Sequence, residues 1–231
     1  MDKRAPLSMA LDSSSLDRFV KLLAIDTAEW NCSVALWEQD REISFQEKNF
    51  ERDQATYLPQ LVKDVVGQQK IDLILVNIGP GSFTGIRVGV AFAKGLSMSW
   101  NIPLKGIDGF IATYASLEPA EDVLVLIEAR RVDVFASRFL NGVPQEPQSL
   151  TREDIEKILT APQPPLLAGS GLHPFLDGFD FKEVFSPWRG AQKLIYAFLK
   201  NANFASNPIP FYVREADVTS PSQLCSSRLS R

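Results

Sequence analysis

The first third of the chain contains short segments whose hydrophobic pattern is typical of strands. Residues 22–27 form an apolar run, and residues 32–38 and 42–50 alternate between apolar and polar side chains. The links between them are short and polar, which favours an antiparallel meander. The third segment carries polar residues on both faces and is predicted to be an edge strand.

The hydrophobic period then becomes helical. Between residues 57 and 66, apolar side chains recur on one helical face: Leu58, Leu61, Val62, Val65 and Val66. We expect Pro59 in the first turn of this helix, where a proline breaks no hydrogen bond. The remaining predicted elements of this half are a strand over 71–78, a glycine-rich turn, a helix to residue 100, a strand over 102–107 and a helix over 109–117 capped by Asp108.

The second half of the chain shows the same plan in shorter form. Its predicted elements are strands over 123–127, 132–140 and 166–171, and helices over 151–159 and 193–200. Asn141-Gly142 is a strong hairpin signal, and Thr151 with Asp154 is close to a capping box. Two such units predict two α/β lobes with a cleft between them. The turns Asp26-Thr27 and Glu128-Ala129 would face each other across it.

These patterns also predict the domain organisation. We expect a leader over 1–20, an N-terminal lobe over 21–108, a smaller C-terminal lobe over 109–219 and a serine-rich tail over 220–231. A serine run interrupts the leader, unlike a signal peptide, and no apolar stretch approaches the roughly 20 residues of a membrane helix. The expected location is therefore the cytoplasm, away from membranes.

Composition narrows the chemistry that this chain can perform. Among 231 residues there are one histidine and two cysteines, and the formal net charge is −4. A zinc site of cysteine and histidine needs three or four ligands, whereas only His173, Cys32 and Cys225 are available. A catalytic triad would depend on His173 alone. Mild acidity argues against an independent grip on nucleic acid, and two distant cysteines, with Cys32 expected in the core, indicate a reducing compartment.

A glycine-rich turn over 79–85 is the first candidate for chemistry. It lacks the Lys-Ser/Thr of a Walker A loop. As a dinucleotide fingerprint it is one residue too long, although Asp108 ends the next strand at about the right separation. Three interpretations therefore stay open, and the dinucleotide fingerprint is the first. Gly79, Gly81 and Ser82 could present backbone N–H groups to an anion, or the loop could be a structural turn in which Ser82 or Thr84 caps the helix.

Small residues recur every four positions along the helix that follows: Gly85, Gly89, Ala93 and Ser97. A glycine inside a helix costs up to about 1 kcal/mol relative to alanine, so close packing is expected to compensate. Either the chain's own preceding helix or another subunit could provide it. The candidate interface residues are Leu58, Leu61, Val65, Gly85, Ile86, Gly89, Val90, Ala93 and Ser97.

Asp26-Thr27 is the second candidate for chemistry. An aspartate at a strand end, facing a second lobe, is how two-lobed nucleotide-binding folds hold a metal-bound phosphate. Such enzymes usually continue with a small turn containing glycine, whereas Trp30 crowds this one. Opposite lie Glu128 and two arginines, which either meet phosphate or stay solvated. The candidate vestigial phosphate turns are Asp26, Thr27, Gly79, Gly81, Ser82 and Glu128.

Three stretches together resemble the TsaB (YeaZ) family: LLAIDTAEWNCSVAL, ILVNIGPGSFTGIRVGVAFAKGLSMSWNIPLKGID and PIPFYVREADVT. The resemblance covers residues 21–219. It implies an actin-like ATPase fold of two ribonuclease-H-like lobes, the second one reduced. It also implies a subunit without catalytic residues or a metal of its own, which binds and activates the TsaD transferase for threonylcarbamoyl transfer to adenosine in tRNA.

The same resemblance implies the partners. The paralogue TsaD carries the metal and the transfer site, the ATPase TsaE joins the complex, and tRNA is met only through the complex. No cofactor is expected in this chain, since ATP and metal belong to the partners. The face that docks on TsaD, or forms a homodimer in its absence, would fall on the helix over 58–66 and the helix after Gly85.

This sequence departs from the family pattern at two places. Residues 53–57 replace a His-Ser/Ala-Glu stretch, and Glu128-Ala129-Arg130 replaces Asp-Ala-Arg. The leading hypothesis is a non-catalytic subunit. The alternative is an autonomous ATP-binding kinase or ATPase of the same fold. A peptidase and a nicotinamide dehydrogenase are weaker candidates.

Overall fold

A computed structural model describes residues 21–49, 53–129 and 132–214. The strands are β1 (Lys21–Asp26), β2 (Asn31–Glu38), β3 (Arg41–Asn49), β4 (Leu73–Asn77), β5 (Leu104–Ile107), β6 (Asp122–Glu128), β7 (Asp133–Leu140), β8 (Val143–Pro144), β9 (Gln148–Thr151), β10 (Leu166–Ala168) and β11 (Ala205–Ser206). The α-helices are α1 (Gln54–Val66), α2 (Phe83–Trp100), α3 (Gly109–Ala115), α4 (Arg152–Leu159), α5 (Leu172–Phe175) and α6 (Ala191–Lys200), and a 3₁₀ turn covers Ala202–Phe204.

The first sheet has the strand order β11-β5-β4-β1-β2-β3. Strands β1, β2 and β3 form the predicted antiparallel meander, and β3 is the predicted edge strand. Strands β4 and β5 run parallel to β1, which requires the crossover helices α1 and α2. This order is that of the ribonuclease-H-like lobe that the family resemblance implies.

Helices cover both faces of the first sheet. Leu23 and Ile25 of β1 pack towards α1 and α2 on one face, and Leu22 and Ala24 pack towards α3 and α6 on the other. A strand buried on both sides reads as a continuous apolar run rather than an alternation, which explains the pattern of β1. The carboxyl end of β1 is thereby fixed at the edge of the sheet where Asp26 lies.

The second sheet is smaller. Its order is β10-β6-β7-β8, and β9 also pairs with β7. Strands β8 and β9 pair with opposite ends of β7, so together they take one strand position. Within the described residues this sheet has no counterpart of β5, in agreement with a reduced second lobe.

The elements divide between the lobes differently from the predicted boundary. Helix α6 packs on the first sheet, and β11 pairs with β5, so residues 191–206 belong with the N-terminal lobe rather than with the predicted lobe over 109–219. Helix α3 contacts both lobes, with Phe110 in the core of the second and Ala112 in that of the first. The predicted leader and tail lie outside the described residues.

Side-chain caps set the N-terminal ends of three of the six α-helices among the described residues. The Ser82 hydroxyl accepts a hydrogen bond from Gly85 N, Asp108 caps α3, and the Thr151–Asp154 capping box is formed. The prediction for Pro59 is wrong. Since α1 begins at Gln54, Pro59 lies in the second turn and removes one helical hydrogen bond.

Candidate functional site

A cleft of about 450 Å³ separates the two lobes at the carboxyl ends of β1 and β6. As predicted, Asp26 and Glu128 line it from opposite sides. The indole N–H of Trp30 donates a hydrogen bond to the Glu128 carboxylate and thereby joins the lobes across the cleft. The turn after Asp26 is crowded by Trp30 as predicted, and the crowding takes the form of a hydrogen bond from Trp30 to Glu128.

Asp26 is buried at the floor of this cleft. Its Oδ1 accepts hydrogen bonds of 3.0 Å from Ala28 N and from Asn77 Nδ2. Burial, reinforced by the charge of Glu29, raises the pKa of Asp26 to about 6. Asp26 therefore has the position of a phosphate- or metal-facing carboxylate, but its environment disfavours the charged form.

The remaining charge in the cleft is mostly negative. Lys193 of α6 places its Nζ 3.7 Å from Glu29 Oε1 and 3.3 Å from Thr113 Oγ1. The lining carboxylates are Asp26, Glu29, Glu47, Glu128 and Glu183, and the lining cations are Lys193 and Arg189. Among the described residues, a triphosphate entering this space would meet more carboxylates than cations, a balance that opposes nucleotide binding.

The glycine-rich turn uses its backbone groups inside the chain. Gly79 N donates to Asn77 Oδ1 over 2.8 Å, and Ser82 N donates to Ala28 O over 2.6 Å. A Cβ on Gly81 would overlap the Ala28 carbonyl, so this glycine permits a close backbone approach. Asp108 accepts from Phe110 N and Ile111 N as a helix cap. These contacts favour the structural interpretation of the turn over the dinucleotide fingerprint.

The predicted interface residues are not on the surface of the chain. Eight of them are buried in the first lobe, and Ser97 is half-buried; the buried ones are Leu58, Leu61, Val65, Gly85, Ile86, Gly89, Val90 and Ala93. Gly85 and Gly89 lie against Thr27, whose hydroxyl donates to Gly85 O over 2.7 Å. At its two glycines the small-residue stripe therefore packs on the end of β1, and the preceding helix contributes Gln54, whose Oε1 would lie 2.8 Å from a Cβ on Gly85.

The exposed face of α2 lies on its other side and was not predicted from the sequence. Ala91, Gly95 and Met98 are exposed, and Val88 and Phe92 beside them are half-buried. Met98 is 84% exposed, and a Cβ on Gly95 would meet nothing within 4 Å. A second spacing of small and apolar residues, two positions out of phase with the first, is the signal that identifies this face. We call these five residues the outer face of α2.

The amino-acid sequence of this chain is similar to those of known proteins. A family model described as "TsaD: tRNA N6-adenosine threonylcarbamoyltransferase" matches residues 53–162. The tRNA threonylcarbamoyladenosine biosynthesis protein TsaB of Escherichia coli is 30% identical over 128 residues, which are 52% of this chain and 55% of that protein. TsaB of Haemophilus influenzae is 33% identical over 124 residues, covering 51% and 52%. Over about half of its length, the chain is therefore similar to TsaB (YeaZ) proteins.

The structure of YeaZ from Pseudomonas aeruginosa extends the similarity to the fold. It has a TM-score of 0.65 and 22% identity, covering 83% of this chain and 99% of that one. The predicted actin-like fold is thereby confirmed. The sequence matches to the curated TsaB proteins span only about half of their length.

The places where this chain departs from the TsaB pattern have structural roles in it. Gln54, in the region where TsaB proteins commonly have a histidine, is buried and donates to Glu29 O over 3.1 Å. Glu128, in place of the common aspartate, accepts from Trp30. Both contacts hold the loop between β1 and β2, and neither was predicted, because each joins residues far apart in sequence.

Other predictions for this chain concern single side chains. Cys32 is buried in the core, as predicted, and burial followed by the charge of Asp26 raises the pKa of its thiol to about 12. Arg130, Arg131 and Cys225 lie outside the described residues. In the part of the chain that the structure describes, no three His, Cys, Asp or Glu side chains are grouped to hold a metal ion. The helices found there lack the length and apolarity to cross a membrane.

Proposed function

We propose that this chain is a non-catalytic cytoplasmic subunit in the biosynthesis of threonylcarbamoyladenosine in tRNA, and that it docks on a TsaD-type transferase through the outer face of α2. The names of its relatives support the pathway. The exposed apolar side chains on α2 support the docking. In this proposal TsaE joins the complex, a homodimer forms when the partners are absent, and tRNA, ATP and the metal are held by the assembly rather than by this chain.

The outer face of α2 has the properties of a helix-packing surface. The half-buried Val88 and Phe92 pack on the core of the first lobe, so their backbone is held in place. Gly95 leaves room for a second helix to approach closely, and Met98 is a long, flexible apolar side chain that adapts to a partner. Such a surface pairs with another apolar helix rather than with a charged ligand.

The family comparison supports a related helix of the transferase as the partner. The family model named for the transferase matches residues 53–162, a segment that contains both α1 and α2. The transferase therefore has its own version of these helices. Two related chains can pack such faces around a pseudo-two-fold axis, and two copies of this chain can do the same with exact symmetry. The two associations would use one surface and compete.

Introduction of a negative charge on this face tests the docking. Met98→Glu is expected to weaken binding to the purified transferase at least tenfold, because a carboxylate would be buried without a partner. The control is Val143→Glu on the second lobe, since Val143 is also an exposed apolar residue, at 60%. Binding is measured by calorimetry, and tRNA modification by a reconstituted assay with TsaE. Equal effects of both variants, or none, would contradict the docking surface.

The alternative function, an autonomous ATPase, has one observation in its favour. Asp26 stands at the end of β1 in a cleft large enough for a nucleotide. The Trp30–Glu128 contact and the acidic lining oppose it. Turnover of ATP by the isolated chain, abolished by Asp26→Asn, would establish the alternative. Loss of tRNA modification when this chain is omitted, without ATP turnover by the chain itself, would support the proposed role.

A further inference from the structure

The segment after β11 crosses from the first lobe to the second. Phe211 N donates to Ile78 O over 2.7 Å, directly beyond β4 of the first sheet. The Phe211 side chain packs against two cores, the one between the first sheet and α1–α2 and the one on the second sheet. One aromatic ring is therefore shared by both lobes. We call residues 207–214 the strap.

Tyr212 attaches the strap to the first lobe. Its ring centroid lies 5.0 Å from that of Phe83, the first residue of α2. Arg87 Nε donates to the Tyr212 hydroxyl over 3.1 Å, and the Arg87 guanidinium lies 3.6 Å from the centroid of the Phe83 ring. A tilted aromatic pair and a cation–π contact of this kind fix the orientation of the Phe83 and Tyr212 rings.

Arg214 attaches the strap to the second lobe. Its guanidinium pairs with the carboxylate of Asp133, the first residue of β7, and lies 5.5 Å from the centroid of the Phe135 ring. The Asp133 side chain is 11% exposed and also accepts from the Ser149 hydroxyl. Val213 packs on the same core as Phe211. Loss of Arg214 would leave the Asp133 carboxylate without a cation in a largely buried position, which costs free energy, whereas the Arg214 side chain itself is 33% exposed.

We propose that the strap is a latch that holds the two lobes at one separation and thereby fixes the width of the cleft. Its contacts lie on a different side of the first sheet from α3, which contacts both lobes, and from α6, which packs on the first lobe. With attachments on both faces of the sheet, rotation of the lobes about α3 is restrained. Releasing the Arg214 end weakens the strap's hold on the second lobe, so that the lobes are then joined mainly by α3 and the Trp30–Glu128 hydrogen bond. This inference is independent of the proposed partner.

A distance measurement between the lobes tests the latch. Spin labels are placed on the full chain at Asp40→Cys and Val143→Cys, both exposed positions in turns or at their edges, with Cys225→Ser. The buried Cys32 stays unlabelled. Pulsed electron–electron double resonance is expected to give a narrow distribution of distances between the two labels in the otherwise unchanged chain. Arg214→Met is expected to broaden the distribution at least twofold, while circular dichroism shows that the fold is retained.

The control is Arg152→Met. Arg152 also stacks on an aromatic ring, with its guanidinium 4.5 Å from the Phe179 centroid, and donates to the Phe175 carbonyl over 2.9 Å, but all these contacts are inside the second lobe. Its distance distribution should match that of the labelled parent. The latch is refuted if Arg214→Met leaves the distribution narrow, or if Arg152→Met broadens it equally. Phe211→Leu, which keeps an apolar side chain, serves as a second variant and should broaden the distribution without unfolding the chain.

Discussion

Gly89→Ala is expected to lower the free energy of unfolding by roughly 2–3 kcal/mol. Alanine normally stabilises a helix relative to glycine, so the expected sign is the reverse of the intrinsic propensity. A Cβ on Gly89 would overlap the hydroxyl oxygen of Thr27, and Thr27 is fully buried at the end of β1. Since its hydroxyl is already bonded to Gly85 O, it cannot rotate away freely. Urea denaturation measures the change.

Gly95→Ala is the matched control in the same helix. No atom lies within 4 Å of a Cβ at Gly95, so this variant is expected to raise the free energy of unfolding by up to about 1 kcal/mol. Opposite signs at two glycines of one helix separate close packing from helix propensity. Equal effects at both positions would contradict the packing described for the stripe.

Thr27→Ala provides a rescue. It removes the overlapping oxygen, and the Thr27 Cβ would lie 3.5 Å from the new methyl group, an ordinary contact. The double variant should therefore lose less stability than the two single changes added together. Gly85→Ala should not be rescued by the same change, because the atom it would overlap is the Thr27 backbone oxygen. The two outcomes distinguish a side-chain clash from a backbone clash.

The stripe shows what a spacing can and cannot predict. Small residues every four positions correctly predicted a face of α2 that another part of the protein approaches closely. The spacing carries no information about which part, because Thr27 lies 62 residues before Gly89 in sequence. The nearest atoms at both glycines belong to Thr27 at the end of a strand, and the preceding helix adds only Gln54 at Gly85. The exposed Gly95, on the opposite side, was accordingly overlooked.

The sequence predicts helix caps correctly where one short segment contains all the interacting atoms. Ser82, Asp108 and Thr151 cap helices by bonding to groups two or three residues away, and the sequence displays both partners. Helix α6 is different. Its apolar face predicts burial but does not say against which sheet, so it was assigned to the wrong lobe. The contacts of Lys193 and Gln54 with Glu29 in the β1–β2 loop likewise join residues that are far apart in sequence.

The facing turns of the cleft were predicted by a different argument. Two copies of one supersecondary plan place equivalent strand ends opposite each other, so Asp26 and Glu128 could be paired without any knowledge of packing. The electrostatic environment of Asp26 could not be predicted in this way, because its neighbours come from β4, the β1–β2 loop and α6.

Asp26→Asn is expected to raise the free energy of unfolding at pH 7.5 by roughly 2–3 kcal/mol. Burial raises the pKa of Asp26 from 3.8 to about 6, and each pKa unit corresponds to about 1.4 kcal/mol. Asparagine keeps an oxygen that accepts from Ala28 N and Asn77 Nδ2, but it carries no charge to desolvate. For a protein of this size the melting temperature should rise by roughly 4–10 °C.

The sign of the pH dependence follows from the same shift. Between about pH 4 and pH 6 the folded state holds a proton on Asp26 that the unfolded state has released, so folding takes up a proton. The contribution of protonated Asp26 to stability is complete below about pH 4 and is lost as the pH rises through 6. Asp26→Asn should therefore match the parent chain near pH 4 and exceed it increasingly up to pH 7.

Part of the pH dependence should remain in that variant. Burial also raises the pKa of Asp108 to about 6, and this side chain is unchanged by the substitution at Asp26. Asp40→Asn, at an exposed turn, is the control and should change stability little at any pH. If Asp26→Asn instead lowered the free energy of unfolding at pH 7.5, the expected balance between burial and attraction would be reversed. In that case the attraction of Lys193 for the Asp26 carboxylate would exceed the cost of burying it, and the cleft would be a formed site for a charged group.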